Sequence, residues 1–467
     1  MARNGRPLVI AANRLPVARS DDGWVTSPGG LVRAVLPTVV RTGGSWVGWT
    51  GEVAESARDT PEPIVSDGVT LHPVALTAAD VEDYYEGFSN DTLWPLYHDA
   101  IRDSGFHTGD WDAYVRVNTR FAERIAAVAP PDAMVWLHDY HLQLVPAVLR
   151  AARDDLRIGW FDHIPWPPVE LFQRLPWRAE ILEGLLGADV LGFQRDGGAR
   201  NFLAAAVQLG AATEVAPGVV EGPSGHRTRV GHFPISIDVE AFEQLAGARP
   251  ALRQAAQIRA RLGDPEVILL GVDRLDYTKG IGARLRAFAA LLDAGRLDPA
   301  RHVMVQVATP TRENVEMYRE ERNEIEQLVG EINGRHARLG FPAVHYLYQM
   351  LPLDELVPLY IAGDVMLVTP LRDGMNLVAK EYVAAHTDDD GVLVLSEFTG
   401  AADELDRALL VNPHDERALA DAIVAAVDMS RSERRQRMES MRTRLHDADV
   451  AAWADAFLTE LAGPTPP

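Results

Sequence analysis

The 467-residue chain contains no cysteine, which removes disulfides, thiolate metal ligands and cysteine nucleophiles together. It also lacks any apolar run near the roughly 18 residues that a membrane-spanning helix needs. Its start, MARNGRPLVIAANR, has no long apolar stretch of the signal-peptide kind, so the cytoplasm is the expected location. Basic charge is scarce: 45 Lys and Arg stand against 67 Asp and Glu, a formal net charge of −22. That balance argues against nonspecific attraction to nucleic acid or to an anionic membrane, and neither is expected as a partner. Any phosphate the protein binds must meet local cations on an acidic background.

What the chain does have is the balance of a soluble globular enzyme, 47% hydrophobic and 24% charged residues. Its length suits two or three domains. Apolar runs mark strands at 8–12, 134–137, 157–161 and 189–193, and helical spacing marks Leu31 to Arg41, His141 to Arg153 and Gly198 to Leu209. The Gly- and Pro-containing segment 218–238 reads as the link between halves. The alternation then repeats, with strands expected at 267–272, 303–308, 344–348, 365–369 and 391–396 and the longest intervening helix inside Glu313 to Leu339. Strands alternating with helices imply parallel sheets covered on both faces, hence two doubly wound α/β domains. The boundaries expected are 1–235, 236–446 and a closing segment, 447–467, whose amphipathic helix packs back on the first domain and ends in a frayed PTPP. Such sheets bind ligands beyond the carboxyl ends of their strands.

Those ends are where the charged residues gather. After the 267–272 run comes DRLDYTKGI, with Arg274 and Lys279 about a turn that opens a helix at Gly280. Free N–H groups at a helix start add to such cations and suit an anion, although two solvated surface cations would read the same. The next strand ends in TPTRENV and adds Arg312. Three cations at two successive strand ends of an acidic protein favour a phosphate or diphosphate site. At a third end, PLRDGMNLVAKEY supplies Asp373, the turn Gly374-Met375-Asn376 and, on the following helix, Glu381. A carboxylate for ribose hydroxyls beside turn N–H groups for phosphates is nucleotide-sugar chemistry, and helix capping is the plainer reading of Glu381.

The first half has its own rim: His138, Asp139 and His141 after one strand, Asp162 and His163 after the next. Clustered His and Asp suit a metal, but the spacing is not that of HExxH, and hydrogen bonding to a sugar fits as well. AANR follows the first strand, and PGGLV offers two glycines for close approach to a ligand, or a simple turn. The aromatic DYYEGFSNDTLWPLYH could stack on sugar rings, though aromatics at helical spacing more often fill a core.

AANRLPV, PGGL, YYEGFSNDTLWPLYH, WLHDYHLQLVP, HIPWPP, DRLDYTKG and PLRDGMNLVAKEY, in this order, strongly resemble the trehalose-6-phosphate synthases of glycosyltransferase family 20. The likeness runs from about Leu8 to about Leu461. It implies a GT-B fold, two Rossmann-like domains facing across a cleft, the first on the acceptor side and the second holding the nucleotide sugar. It further implies a retaining transfer of glucose from a nucleotide diphosphate glucose to glucose 6-phosphate, giving α,α-trehalose 6-phosphate, with no metal or other cofactor and a homodimeric or homotetrameric assembly. By the same resemblance Arg274 and Lys279 grip the donor diphosphate, Gly30 lies against its phosphates and Glu381 takes the ribose. Asp373 and the backbone of Gly374, Met375, Asn376, Leu377 and Val378 hold the transferred glucose and nearby phosphate. His163 bonds a donor sugar hydroxyl and Asp139 lies between donor and acceptor. Arg14, Tyr85, Trp94 and Arg312 form the acceptor pocket, with Arg14 and Arg312 at its 6-phosphate.

Two features limit what the resemblance implies. Met350 and Leu351 stand near the expected base pocket where other members carry His and Phe, which leaves uridine, adenosine and guanosine donors open. The sequence ends soon after the synthase region, so the expected product stays phosphorylated. The rival readings are a family member with another acceptor, such as a glucosylglycerol-phosphate synthase or a pseudo-glycosyltransferase, and an epimerase, hydrolase or sensor on the same fold.

Overall fold

The computed structural model describes residues 5–20, 23–27, 29–59, 61–100, 105–313 and 315–463. Pro28 of the PGGL motif, Asn314 of TPTRENV and the closing PTPP lie outside the described residues. The chain divides into two compact units. One runs up to Ile235 and takes in the segment from Ala451, and the other is Ser236–Val450. No described helix is long and apolar enough to cross a membrane.

The first unit is built on a ten-stranded sheet. From edge to edge its strands are Thr213–Ala216, Val219–Glu221, Arg227–His232, Val190–Phe193, Arg157–Phe161, Met134–His138, Leu8–Arg14, Ser45–Trp49, Val69–Pro73 and Ile64–Ser66. Only the outermost pairings are antiparallel. The central strands run parallel and are covered on both faces, which is why they read as unbroken apolar runs: Val9, Ile10 and Ala11, or Met134 to Leu137, show no exposure at all. In chain order the first strand, Leu8–Arg14, lies between Ser45–Trp49 and the later Met134–His138, so the strand order reverses direction there. That reversal is the topological switch point, and the crevice beyond it is where a doubly wound sheet binds ligands.

The helix Val450–Ala462 closes one face of this sheet. Trp136 stacks on Phe457 at 4.7 Å and meets Trp453 at 5.0 Å. Two strand glycines make the close approach possible, since a Cβ at Gly159 or Gly192 would lie 2.7 Å from the Phe457 ring. Arg157 Nε donates to the Leu461 carbonyl at 3.1 Å and fastens the helix end.

The second unit carries a six-stranded sheet in the order Val344–Leu347, His302–Thr309, Val267–Arg274, Val365–Val368, Val392–Ser396 and Leu409–Val411. Every pairing is parallel. Counted along the chain this is 3-2-1-4-5-6, with the switch point between Val267–Arg274 and Val365–Val368. Helix Ile281–Asp293 lays Ile281, Leu285 and Phe288 against Leu269, Met304 and Leu367 in its core. Both units therefore have the Rossmann-like, doubly wound form expected of them. The two ends of the second unit lie side by side, the Val450 N–H donating to the Ile237 carbonyl at 3.0 Å.

Two expectations need correction, and the core reading of the aromatic stretch holds. Segment 218–238 is not a free link: it forms Val219–Glu221 and Arg227–His232, and the latter pairs with Val190–Phe193. Its glycines serve turns, Gly218 and Gly225 having φ of 70° and 77°. The helix expected from His141 to Arg153 starts later. Tyr140–Leu142 is a single 3-10 turn, and the α-helix Val145–Ala152 begins with Pro146 in its first turn, where a missing N–H costs nothing. The aromatic stretch is a π-helix, Val81–Leu93, followed by Trp94–Tyr97, and it turns Tyr84, Phe88, Trp94 and Tyr97 into the core.

Candidate active site

In the second unit, strand Val267–Arg274 ends in a cap. The Asp276 carboxylate accepts from the Thr278 N–H at 3.0 Å and from its hydroxyl at 2.9 Å, shaping the 3-10 turn Tyr277–Lys279. Gly280 follows with φ 64°, and a Cβ there would collide with the Thr369 carbonyl oxygen. Only glycine brings the start of helix Ile281–Asp293 this close to the neighbouring strand end.

Asp276 has no exposure and gathers the cations. Arg274 Nη2 lies 3.9 Å and Arg312 Nη1 3.8 Å from its Oδ2, and the Tyr318 hydroxyl donates to the same oxygen at 3.3 Å while taking a hydrogen bond from Arg312. Burial alone would push this carboxyl up, but Arg274, Arg312 and Lys279 pull it down to about 2. Lys279 Nζ donates to Asp373 Oδ2 at 2.6 Å, and Asn376 Nδ2 donates to the same oxygen at 3.1 Å. Asn376, at φ 75°, also caps helix Leu377–Ala385 by accepting from the Ala379 N–H. The side chains of Lys279 and Arg312 are 9% and 6% exposed, whereas that of Arg274 is 42% exposed, so Arg274 is the cation most open to a ligand. Glu381 is buried, its Oε2 accepting from the Tyr360 hydroxyl at 2.8 Å. The helix is capped by Asn376 and not by Glu381, which rules out the plain capping reading.

Beneath these groups lies Arg284, without exposure. It donates to Asp273 Oδ2 at 2.6 Å, to Gln306 Oε1 at 3.3 Å, to Thr369 Oγ1 at 3.1 Å and to the Lys279 carbonyl at 2.9 Å. One buried guanidinium thus ties residues of three neighbouring strands and their ends to the turn that bears Lys279.

In the first unit, Arg14 ends the Leu8–Arg14 strand and lies over the Trp49 ring, 4.5 Å from its centroid. A Cβ at Gly51 would collide with its guanidinium, and burial lowers the Arg14 pKa against the opposing pull of Tyr85. Tyr85 meets Trp49 edge-on and stacks on His141, each at 5.9 Å. Trp94 packs on Tyr140 at 5.8 Å, next to Asp139. Gly30 opens helix Gly30–Thr42, whose first turn has no side-chain cap. Asp139 has φ 77° and ψ 166°, a region otherwise left to glycine. Its N–H donates to the Phe161 carbonyl at 2.7 Å, and its own carbonyl accepts from Trp160 Nε1 at 3.1 Å.

Three ionisable groups near it are kept neutral. Burial holds His138 well below its ordinary range and His163 down to about 3, and burial, then Asp139, push the Asp162 carboxyl well up. His138 Nδ1 and His163 Nε2 are 3.0 Å apart. Among the described residues no group of three or more His, Asp or Glu is placed to hold a metal ion.

The predicted donor-side residues Arg274, Lys279, Asp373, Asn376 and Glu381 thus lie together in the second unit, and Arg312 sits with them. Arg14, Tyr85, Trp94, Asp139, His163 and Gly30 lie in the first. Sequence reasoning missed Asp276, Tyr318, Tyr360 and Arg284. The Arg284 signal was available: an arginine between Ile281 and Leu285 falls on the apolar stripe of its helix and needs buried partners.

The sequence profile of glycosyltransferase family 20 matches residues 6–463. A protein of Mycolicibacterium gilvum named trehalose-6-phosphate synthase is 53% identical over 473 residues, spanning 98% of this chain and 94% of that one. The protein of the same name from Mycobacterium avium is 54% identical, spanning 97% and 95%. Among solved structures, an α,α-trehalose-phosphate synthase (UDP-forming) from Burkholderia xenovorans in complex with glucose-6-phosphate matches with a TM-score of 0.90 at 36% identity, covering 98% of this chain and 100% of the other. An E. coli structure bound with UDP-2-fluoro glucose matches with a TM-score of 0.91 at 35% identity, covering 99% and 100%.

Proposed function

The chain belongs to glycosyltransferase family 20, and on that premise we propose that it transfers glucose from a nucleotide diphosphate glucose, UDP-glucose first among them, to glucose 6-phosphate with retention, forming α,α-trehalose 6-phosphate. The observation that carries the reading is the set Arg274, Lys279 and Arg312 held around buried Asp276, at a helix start and at the switch point of a Rossmann-like sheet. The matching of the B. xenovorans complex with glucose-6-phosphate and of the E. coli complex with UDP-2-fluoro glucose supports the choice of acceptor and donor.

In this reading the second unit is the nucleotide-sugar side and the first the acceptor side. Arg274, Lys279 and the N–H groups of helix Ile281–Asp293 face the donor diphosphate. Asp373 and the backbone from Gly374 to Val378 hold the sugar, with Glu381 on the ribose. Arg14 and Arg312 take the acceptor's 6-phosphate between Tyr85 and Trp94, and His163 bonds a donor hydroxyl. The bond from the anomeric carbon to the diphosphate breaks with its electron pair going to the phosphate oxygen, where the cations and helix start meet the developing charge. The acceptor's anomeric hydroxyl bonds to that carbon from the same face and passes its proton to the departing phosphate. No enzyme nucleophile takes part. A double displacement would need a carboxylate beneath the anomeric carbon, a place for which Asp139 is the candidate. The charge of the leaving group is carried by side chains and no metal, so a chelator leaves the rate unchanged, and the assembly is a homodimer or homotetramer.

The test measures nucleoside diphosphate release from UDP-, ADP- and GDP-glucose, with and without glucose 6-phosphate, with the product examined by NMR. Release that requires glucose 6-phosphate and yields a 1,1-α,α linkage supports the reading and ranks the donors. Release that ignores glucose 6-phosphate, or that serves another phosphorylated acceptor, overturns it.

A further inference from the structure

A chain of hydrogen bonds runs behind the His163 ring in the first unit. The Ile235 N–H donates to Gln194 Oε1 at 3.0 Å. A main-chain N–H can only donate, so it fixes which end of the Gln194 amide is oxygen. The other end, Nε2, therefore faces His163 Nδ1 at 3.3 Å as a donor. His163 Nδ1 must then be the bare, accepting nitrogen, and the proton of a neutral ring must sit on Nε2, directed at His138 Nδ1 3.0 Å away. His138 in turn carries its proton on Nε2, a buried nitrogen without a hydrogen-bond partner among the described residues. Burial keeps both rings neutral, so each holds a single proton and the direction of the whole chain follows from the Ile235 N–H.

We infer that Gln194 is a positioning residue: through Nδ1 it fixes His163 in the Nε2-protonated form and in one ring orientation, so that Nε2–H, which lies on His138 Nδ1 at 3.0 Å in the free protein, is the one proton His163 can give to a hydroxyl of the bound sugar in exchange for that bond. This rests on the proposed contact of His163 with the donor. Gln194 is itself buried and touches the reaction only through His163. The carboxamide is required because it alone offers an acceptor for the main-chain N–H and a donor for the ring within one rigid plane.

Gln194→Glu preserves the shape and the acceptor for Ile235 but, ionised, has no proton to give, so Nδ1 of His163 must acquire one. The first measurement is the protonation pattern of His163 in the full-length chain at pH 8, by nitrogen-detected NMR on 15N-histidine-labelled protein, assigned with His163→Gln. The parent is expected to show a bare Nδ1 and a protonated Nε2, and Gln194→Glu a protonated Nδ1. The second is kinetics: turnover falls about tenfold to a hundredfold in Gln194→Glu and in Gln194→Met, the scale of a misplaced group, while the half-saturating glucose 6-phosphate concentration stays within about twofold. A parent with protonated Nδ1, or a Gln194→Glu protein whose Nδ1 stays bare, overturns the inference whatever the activity. A changed protonation pattern with unchanged turnover overturns the part of it that concerns the reaction and locates the fault in the His163 contact. The NMR measurement decides the tautomer even if the parent transfers no glucose.

Discussion

Asp139 keeps a backbone shape, φ 77° and ψ 166°, that costs an ordinary residue about 1–3 kcal/mol. It persists because the main chain is held on both sides, by the Phe161 carbonyl and by Trp160 Nε1. Glycine would adopt it freely at a chain-entropy cost of about 0.5–1 kcal/mol. Asp139→Gly is therefore expected to leave stability equal or raise it by about 1 kcal/mol while turnover drops at least tenfold, read by urea unfolding beside the release assay; a destabilised protein would contradict the strain argument. The cations separate in a similar way. Arg274→Ala should lower turnover about a hundredfold and cost less stability than Lys279→Ala, since its side chain is 42% exposed and Arg312 and Lys279 still face Asp276. Lys279→Ala should lower turnover as much and cost about 1–3 kcal/mol, because the part-buried Asp373 carboxylate loses its cation. Equal melting temperatures for the two variants would count against the difference. Arg274, Lys279 and Arg312 were legible as basic residues following apolar runs. The depth of Asp276 and Arg284 was not, because their partners Arg312 and Tyr318, and Gln306 and Thr369, lie far away in sequence.

At the scale of the element, legibility followed burial. The central parallel strands are apolar throughout, so 134–137 or 303–308 could be read directly. The hairpin Val17–Ser20 and Gly23–Thr26, and the edge strand Ile64–Ser66, are short and half-exposed, and nothing in their composition separates them from loops. The π-helix Val81–Leu93 was hidden for another reason: its wider turn moves apolar residues off the spacing by which an α-helix is recognised. The closing helix Val450–Ala462 is a packing element of the first unit, since Phe457 fills the space left by Gly159 and Gly192. Phe457→Ala is expected to cost about 3–5 kcal/mol. All ten tryptophans lie in the first unit, so their fluorescence reports its unfolding alone. A loss of that size should appear in the fluorescence transition; an unshifted midpoint would refute the packing role.

For the whole molecule the acidic balance sets the background, and pH acts against it. His138 and His163 are held neutral, with folded pKa values below the ordinary 6.5. A base depressed in this way binds its proton more readily when unfolded. The contribution of each is complete above about pH 6.5 and falls below it, for His163 until about pH 3, at up to ~1.4 kcal/mol per unit and group. Asp162, pushed up, works in the opposite sense, so the difference between the parent and His138→Gln isolates the histidine. That difference, from urea titrations followed by tryptophan fluorescence, should fall by about 1–2 kcal/mol from pH 7 to pH 5; a flat difference would show that His138 is not neutral by burial. The order of the two units along the chain was readable from the recurring alternation of strand and helix. That the first unit needs residues from both ends of that order has a consequence for synthesis. As the chain leaves the ribosome, Ser236 to Val450 is complete while the earlier sheet still lacks Trp453, Phe457 and Leu461, so the unit begun second is the first that can finish folding.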